Sequence, residues 1–346
     1  MPELSFTPVL PKGSLVLVSG ANSMLGSHVV KQLLEYGYKV RGTVRDVEKN
    51  AWMVDFFKSY GEESFELVRV LDIAVAGAFD DAIQGCAGVI HLAMVTNWAP
   101  NHPDDVVPLA VAATLGFLKS AADTPSVKRF VHCSSSAAAR RPTANVRRVI
   151  DSDTYNDETV QAIYADKGEI QGLDKAFAVY TASKVQSEKA AWKFVEENKP
   201  PFVFNTVLPE LCFGEIFNAE KQGFPSSAGF AKACFEGDLN SFAFLPPQQY
   251  VNTEDAAVTH IAGLIHPDVT SERLFAFAEP FNWNDVLAVY RKLFPSNKFL
   301  DDMDLGKDLL EIKGHDRVDR LLKEMGRPKG FRKLEESLTQ LTKAFA

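Results

Sequence analysis

Apolar residues along this chain fall into short unbroken runs that alternate with stretches of helical spacing. Residues 14–18 (SLVLV) form a continuous apolar run ending in Ser19-Gly20, which predicts a strand buried on both faces. From Met24 to Tyr36 the period lengthens: Leu25, Val29 and Leu33 are spaced by four, as are Val30 and Leu34, so an amphipathic helix is expected. Gly37 follows as its terminator, and 38–44 reads as a second strand. The alternation continues with strands at 65–70, 89–92, 129–133 and 202–208. Helices are expected at 76–84, 104–122 and 181–197. Such an order predicts an α/β, Rossmann-type, doubly wound parallel sheet with helices on both faces, and ligands outside the carboxyl ends of its strands.

Two regions break this rhythm. Residues 139–176 are polar and read as an irregular insertion, long enough to be a lid. Beyond Pro209 the alternation weakens, and helical patterns return at 282–294 and 305–345. The expected organisation is a nucleotide-binding domain over 1–209 and a smaller, mostly helical substrate-binding part over 210–346, some of which returns to the first domain.

Composition narrows the classes. The chain has 346 residues and is 46% apolar, enough for a substantial core. A formal charge of -8 disfavours nucleic acid as a partner. The opening MPELSFTPVLPKG has neither a basic n-region nor an apolar h-region, and no apolar run approaches the ~18 residues of a membrane span. The four cysteines (Cys86, Cys133, Cys212, Cys234) are scattered, and the seven histidines show no ligand spacing, so no metal site is expected. A cytoplasmic monomer or homodimer acting on a small molecule fits these features.

The candidate chemistry begins after the first strand, at Gly20-Ala21-Asn22-Ser23-Met24-Leu25-Gly26. Glycines in such a turn permit tight backbone, close approach to a pyrophosphate and close helix–strand packing. The helix N-terminus offers free N–H groups to phosphate. Ser23 replaces the middle glycine but stays small and brings a hydroxyl donor. At the end of the second strand, NAD binders carry Asp or Glu for the ribose diol. Here Val44 is followed by Arg45, with Arg41 and Lys49 nearby. A guanidinium suits a 2′-phosphate, which points to NADP; Asp46 offers the alternative of a surface pair with Arg45.

Further on, Tyr180 and Lys184 stand four residues apart, on one helix face. An ammonium one turn from a phenol favours the phenolate, so Tyr180 is expected to have a lowered pKa and to move a proton. Ser134-Ser135-Ser136 follow the strand at 129–133 and supply hydroxyls for a substrate oxygen.

Together, SGANSMLG (19–26), GVIHLA (88–93), RFVHCSSS (129–136), YTASK (180–184) and VLPELCFG (207–214) resemble the extended short-chain dehydrogenase/reductase family. With Arg45, the chain is most similar to its NADPH-dependent reductase branch, which includes dihydroflavonol and cinnamoyl-CoA reductases and fungal ketone and aldehyde reductases. The resemblance implies reduction of ketones or aldehydes by NADPH. It implies Ser135 as the hydroxyl that holds the carbonyl, Ser134 or Ser136 being one residue away; Tyr180 as proton donor; and Lys184 as its partner, also on the nicotinamide ribose. It places Asp72 and Ile73 at the adenine edge. Ala93, Met94 and Val95 fall beside the adenine-side ribose and pyrophosphate. Ser134, Pro209 and Leu211 fall on the nicotinamide side. Asn97, Phe177, Glu210, Phe244, Leu245 and Gln248 are the expected pocket walls, with Phe224, Phe230 and Phe242 nearby; Glu210 is expected to repel anionic substrates. Among 25 phenylalanines, however, most belong to the core. The Asn that many members carry before the serine strand is replaced, at the best-matching position in PLAVAATLGFL, by Ala110. A hydroxysteroid dehydrogenase, a nucleotide-sugar epimerase and a non-catalytic NADP-sensing regulator share the fold. The absence of a diphosphate clamp and the retained Tyr/Lys pair weigh against the last two.

Overall fold

In a computed structural model, which describes residues 2–95 and 102–346, the apolar runs pair into one parallel sheet. The strands in chain order are β1 (Leu15–Ser19), β2 (Lys39–Val44), β3 (Phe65–Arg69), β4 (Gly88–His91), β5 (Arg129–Cys133), β6 (Arg147–Ile150), β7 (Val203–Pro209), β8 (Leu211–Phe213), β9 (Gln248–Asn252), β10 (Arg273–Ala276), β11 (Glu279–Phe281) and β12 (Leu309–Ile312). The large sheet runs β3-β2-β1-β4-β5-β7-β10, every neighbouring pair parallel. Val16 and Val18 face a core shared with the helices Met24–Glu35 and Thr253–Ile265, whereas Leu17 faces the opposite core with Phe79, Phe117 and Phe130. Burial on both sides is why β1 reads as an unbroken apolar run. The direction of winding reverses between β1 and β4, so the carboxyl ends of these strands flank a crevice.

Four elements differ from the sequence reading. Residues 76–84 form successive turns, not a helix, because Gly77 and Gly85 adopt φ of +74° and +77°. Phe79 still reaches the core and stacks on Phe117 with ring centroids 3.7 Å apart. The helix carrying Tyr180 starts early, at Gly172, and runs to Asn198, so Tyr180 lies well inside it. The 139–176 insertion is not irregular: it holds β6, the helix Asp157–Ala165 and the start of Gly172–Asn198. β6 pairs in parallel with β12, a partner beyond residue 300 that no local pattern announces. Finally, the helix Pro103–Ala122 is long and apolar enough to cross a membrane by length and composition, unlike the expectation from the sequence; half of its apolar window is buried in the chain's own core.

The C-terminal part contributes a small sheet, β11-β9-β8, and the helices Trp283–Leu293, His315–Glu324 and Leu334–Thr342. β10 comes from this part and forms the edge of the large sheet beside β7.

Candidate active site

The turn after β1 has the geometry its glycines imply. Gly20 adopts φ +68°, and a Cβ there would lie 3.1 Å from the backbone of Ala93. A Cβ on Gly26 would collide with the Gly20 carbonyl oxygen. These close approaches keep the first helix turn against the strand and its N–H groups at the crevice. Ser23 has a use the sequence did not reveal. It is the N-cap of Met24–Glu35: its Oγ accepts from Gly26 N at 2.9 Å and donates to Gly20 O at 2.9 Å. Its hydroxyl is therefore committed to the turn rather than free as a donor. Asn22 is exposed, Met24 buried and Leu25 partly buried. Gln222, far along the chain, donates to the carbonyls of Asn22 and Ser23 and to Ser27 Oγ at 3.0–3.3 Å. That strap was not legible in the sequence.

Beyond β2, Arg45 is exposed and makes no side-chain hydrogen bond or ion pair among the described residues. Asp46 turns to Lys49 instead, accepting from its backbone N at 3.0 Å and lying 3.8 Å from its Nζ. Arg41 is held by Glu66 at 2.6 Å and by the carbonyls of Ala82 and Gln84. Of Arg41, Arg45 and Lys49, Arg45 is the uncommitted one; Arg69, opposite Val44 at the end of β3, is likewise exposed and unpaired among the described residues. A cradle that a Cβ would fill and an uncommitted guanidinium fit a phosphorylated dinucleotide. Asp72 is exposed, its Oδ1 accepting from Ala74 N at 2.9 Å, and Ile73 packs against the core. Ala93, Met94 and Val95 are partly buried. Ser19 Oγ accepts from the backbone N of Leu92 and Ala93, each at 3.0 Å, and lies 2.7 Å from His91 Nδ1, tying the ends of β1 and β4 together.

The three serines after β5 diverge. Ser134 donates to Glu188 Oε2 at 2.7 Å. Ser136 hydrogen-bonds Glu210. Ser135, which takes Ala137 N at 3.2 Å as N-cap of a short turn, is the one hydrogen-bonded to Tyr180. Backbone direction thus separates residues that spacing alone could not, and turns to Tyr180 the serine that the resemblance implied.

The expected lowering of the Tyr180 pKa is not found. Burial pushes the phenol up to about 12; the Ser135 hydroxyl opposes this, while Cys133, Cys212 and Glu210 add to it. Lys184 turns inward, donating from Nζ to Cys133 O at 3.0 Å. Its charge is felt by Cys133, His91, His132 and His260, and burial pulls its own pKa down.

Glu210 also differs from expectation. It is buried against Arg140, 2.9 Å from its guanidinium, which also binds Asp308 at 3.0 Å; Gln249 donates to Asp308 at 3.2 Å. Instead of standing free to repel anions, Glu210 has a cationic partner that sequence reading missed, since Arg140 and Asp308 lie in distant segments. Pro209 ends β7, and Leu211 opens β8 opposite Tyr250. Phe177 stands 6.0 Å from the Tyr180 ring, centroid to centroid, and borders a surface cavity of about 280 Å³ with Ile170, Ala178 and Thr181. Leu245 and Gln248 are buried in the C-terminal part, where Leu245 O accepts from Trp283 and Gln248 donates to Pro246 O. Phe244 packs edge-on against Phe230, and Phe242 is core. Asn97 lies outside the described residues.

A seven-stranded Rossmann sheet, a phosphate-type turn and a Ser/Tyr/Lys cluster at its carboxyl edge define a class. Residues 16–226 match the NAD dependent epimerase/dehydratase family, and the chain belongs to it, within the extended short-chain dehydrogenases/reductases. It is 43% identical over 339 residues to aldehyde reductase 2 of Sporidiobolus salmonicolor, covering 96% of each chain. It is 37% identical to the ketoreductase adrE of Penicillium rubens, covering 95% of this chain and 96% of that one. Its fold is similar to that of Gre2 from Candida albicans in complex with NADPH, with a TM-score of 0.79 at 23% identity, over 96% of this chain and all of that one (100%).

Proposed function

We propose that this protein is an NADPH-dependent carbonyl reductase that converts ketones or aldehydes to alcohols. The observation that carries this is the Ser135–Tyr180 hydrogen bond beside Lys184, at the sheet edge that also holds the Gly20 turn. The aldehyde reductase and ketoreductase relatives support the same reaction class. The turn 20–26, Arg45, Lys184 and the stretch from Pro209 to Leu211 would hold NADPH, which supplies the hydride when bound. Ser135 hydrogen-bonds the substrate carbonyl oxygen. Tyr180, protonated across the neutral range because its pKa is raised, gives its phenolic proton to that oxygen as negative charge develops there. Lys184 adds a nearby positive charge. The Phe177 ring beside Tyr180 favours apolar or aryl carbonyl compounds. On this reading residues 1–209 bind the nucleotide and 210–346 cap the substrate.

The test is loss of NADPH absorbance with aryl ketones, β-ketoesters and aldehydes, for the native protein and Tyr180→Phe. We expect the variant to lose at least ~1,000-fold in kcat while retaining NADPH binding. Near-normal kcat in Tyr180→Phe would overturn the mechanism. Tight NADPH binding without turnover of any carbonyl would indicate a sensor instead.

A further inference from the structure

Behind the Ser135–Tyr180 pair, three buried polar atoms stand without protein partners. Among the described residues, Nδ1 and Nε2 of His132 and Oγ of Ser187 are buried and make no hydrogen bond. His132 is 3% exposed and Ser187 4%. Such groups are rare and call for an explanation. Both residues line one cavity of about 10 Å³, together with Lys184, Thr114 and Ala110. The Thr114 hydroxyl is already committed to Ala110 O at 3.1 Å. An ammonium has three donors, and Lys184 directs one to Cys133 O. The cavity volume is that of one water, which needs two to four polar partners. An ammonium, an imidazole and a hydroxyl are those partners.

We propose that a single ordered water occupies this cavity, accepting from Lys184 Nζ, donating to a ring nitrogen of His132 and bonded to Ser187 Oγ, and that His132 is thereby a positioning residue for Lys184. The surroundings explain the need. The groups that sense Lys184 are Cys133 and His132 on β5, His91 on β4, His260 on the helix Thr253–Ile265 and Glu188 one turn along its own helix. Burial pulls the pKa of His91, His132 and His260 down, which keeps the rings neutral. The acid, Glu188, is paired with Arg273 at 2.8 Å. Little negative charge therefore reaches the ammonium, and dipolar solvation from a bound water sustains its charge in place. A neutral imidazole has a free acceptor nitrogen for the water's proton.

This role rests on the carbonyl-reductase reading, but the water site does not, so two measurements separate them. The first is a crystal structure fine enough to show ordered water. Density is expected within hydrogen-bond distance of Lys184 Nζ, His132 and Ser187 Oγ; a dry cavity with the side chains placed as here refutes the site, whatever the activity. The second is the pH profile of kcat for His132→Leu, His132→Gln and Ser187→Ala. Losing the water's partner lowers the Lys184 pKa further, so the alkaline limb of His132→Leu should move to lower pH by about one unit. KM for the substrate should stay within about twofold, since only the proton-handling groups are altered. His132→Gln, which retains donor and acceptor, should restore the native limb. If His132→Leu does not fold, Ser187→Ala decides by the same shift at smaller amplitude. A folded His132→Leu protein with an unmoved limb refutes the positioning role.

Discussion

Replacing Arg45 with Ala tests the cofactor assignment most directly. The guanidinium lies just past β2, exposed and uncommitted, so its removal disturbs no described interaction of the free protein. Arg41 is held by Glu66 and two carbonyls and Lys49 is turned to Asp46, which leaves Arg69, exposed opposite Val44 at the end of β3, to compensate in part. A hydrogen bond to a charged group contributes about 1.5–3 kcal/mol. That corresponds to about a 10- to 100-fold rise in KM for NADPH, taking 1.4 kcal/mol per factor of ten. NADH lacks the 2′-phosphate, so its KM should hold within about twofold, as should kcat with either cofactor. Initial rates with each cofactor at a fixed saturating carbonyl substrate provide the assay. Raising the salt concentration should erode the native preference for NADPH more than that of the variant, because an exposed charge pair is screened. An unchanged KM for NADPH would refute the assignment of Arg45 to the 2′-phosphate. Equal losses with both cofactors would show that the side chain acts on the fold of the turn instead.

Other outcomes follow from the same geometry. In Gly26→Ala the new methyl meets the Gly20 carbonyl, so the helix must shift; stability should fall by about 1–3 kcal/mol, seen as a lower Tm, with weakened NADPH binding in fluorescence titration. Native-like Tm and affinity would contradict it. Arg273→Ala leaves Glu188 buried, facing Ser134 and Thr206 without its cation, and should cost about 3–5 kcal/mol in urea unfolding. A cost below about 1 kcal/mol would show that the pair is dispensable. Burial lowers the pKa of His28 to about 4, His91 to about 3 and His260 to about 4, against 6.5 when unfolded. The unfolded chain then binds more protons below pH 6.5, so the stability these rings contribute is intact above that pH and is lost as pH falls toward 4. Urea midpoints at pH 7.5 and 4.5 should differ by several kcal/mol in free energy, and equal midpoints would refute the neutral, buried state of these rings.

Much of the architecture was legible because it is written in local periodicity. β1, β4, β5 and β7 bury apolar side chains on both faces, and the helix after Gly20 repeats by four, so the alternation of strand and helix followed directly. The errors share a cause. The 76–84 stretch has helical hydrophobic spacing, but positive φ at Gly77 and Gly85 breaks it into turns. β6 lacks a distinctive pattern because it pairs with β12 alone, across nearly half the chain.

The same division runs through the site. By itself the sequence determined the Gly20–Gly26 turn, the basic residue after β2, and a Tyr and a Lys one helical turn apart, since each depends on residues a few positions from one another. Spacing alone does not separate Ser134, Ser135 and Ser136; the family resemblance implied Ser135, and the backbone leaving β5 is what turns Ser135 to Tyr180 and its neighbours to Glu188 and Glu210. The tertiary structure alone decided that Glu210 is paired with Arg140, which also binds Asp308, and that His132 and Ser187 open onto Lys184. It also reversed the expected direction of the Tyr180 pKa, because desolvation depends on everything packed around the phenol, whereas spacing records a single neighbour. Hydrogen-bond direction and burial are sums over segments that meet only when the sheet closes, which is why they had no local trace.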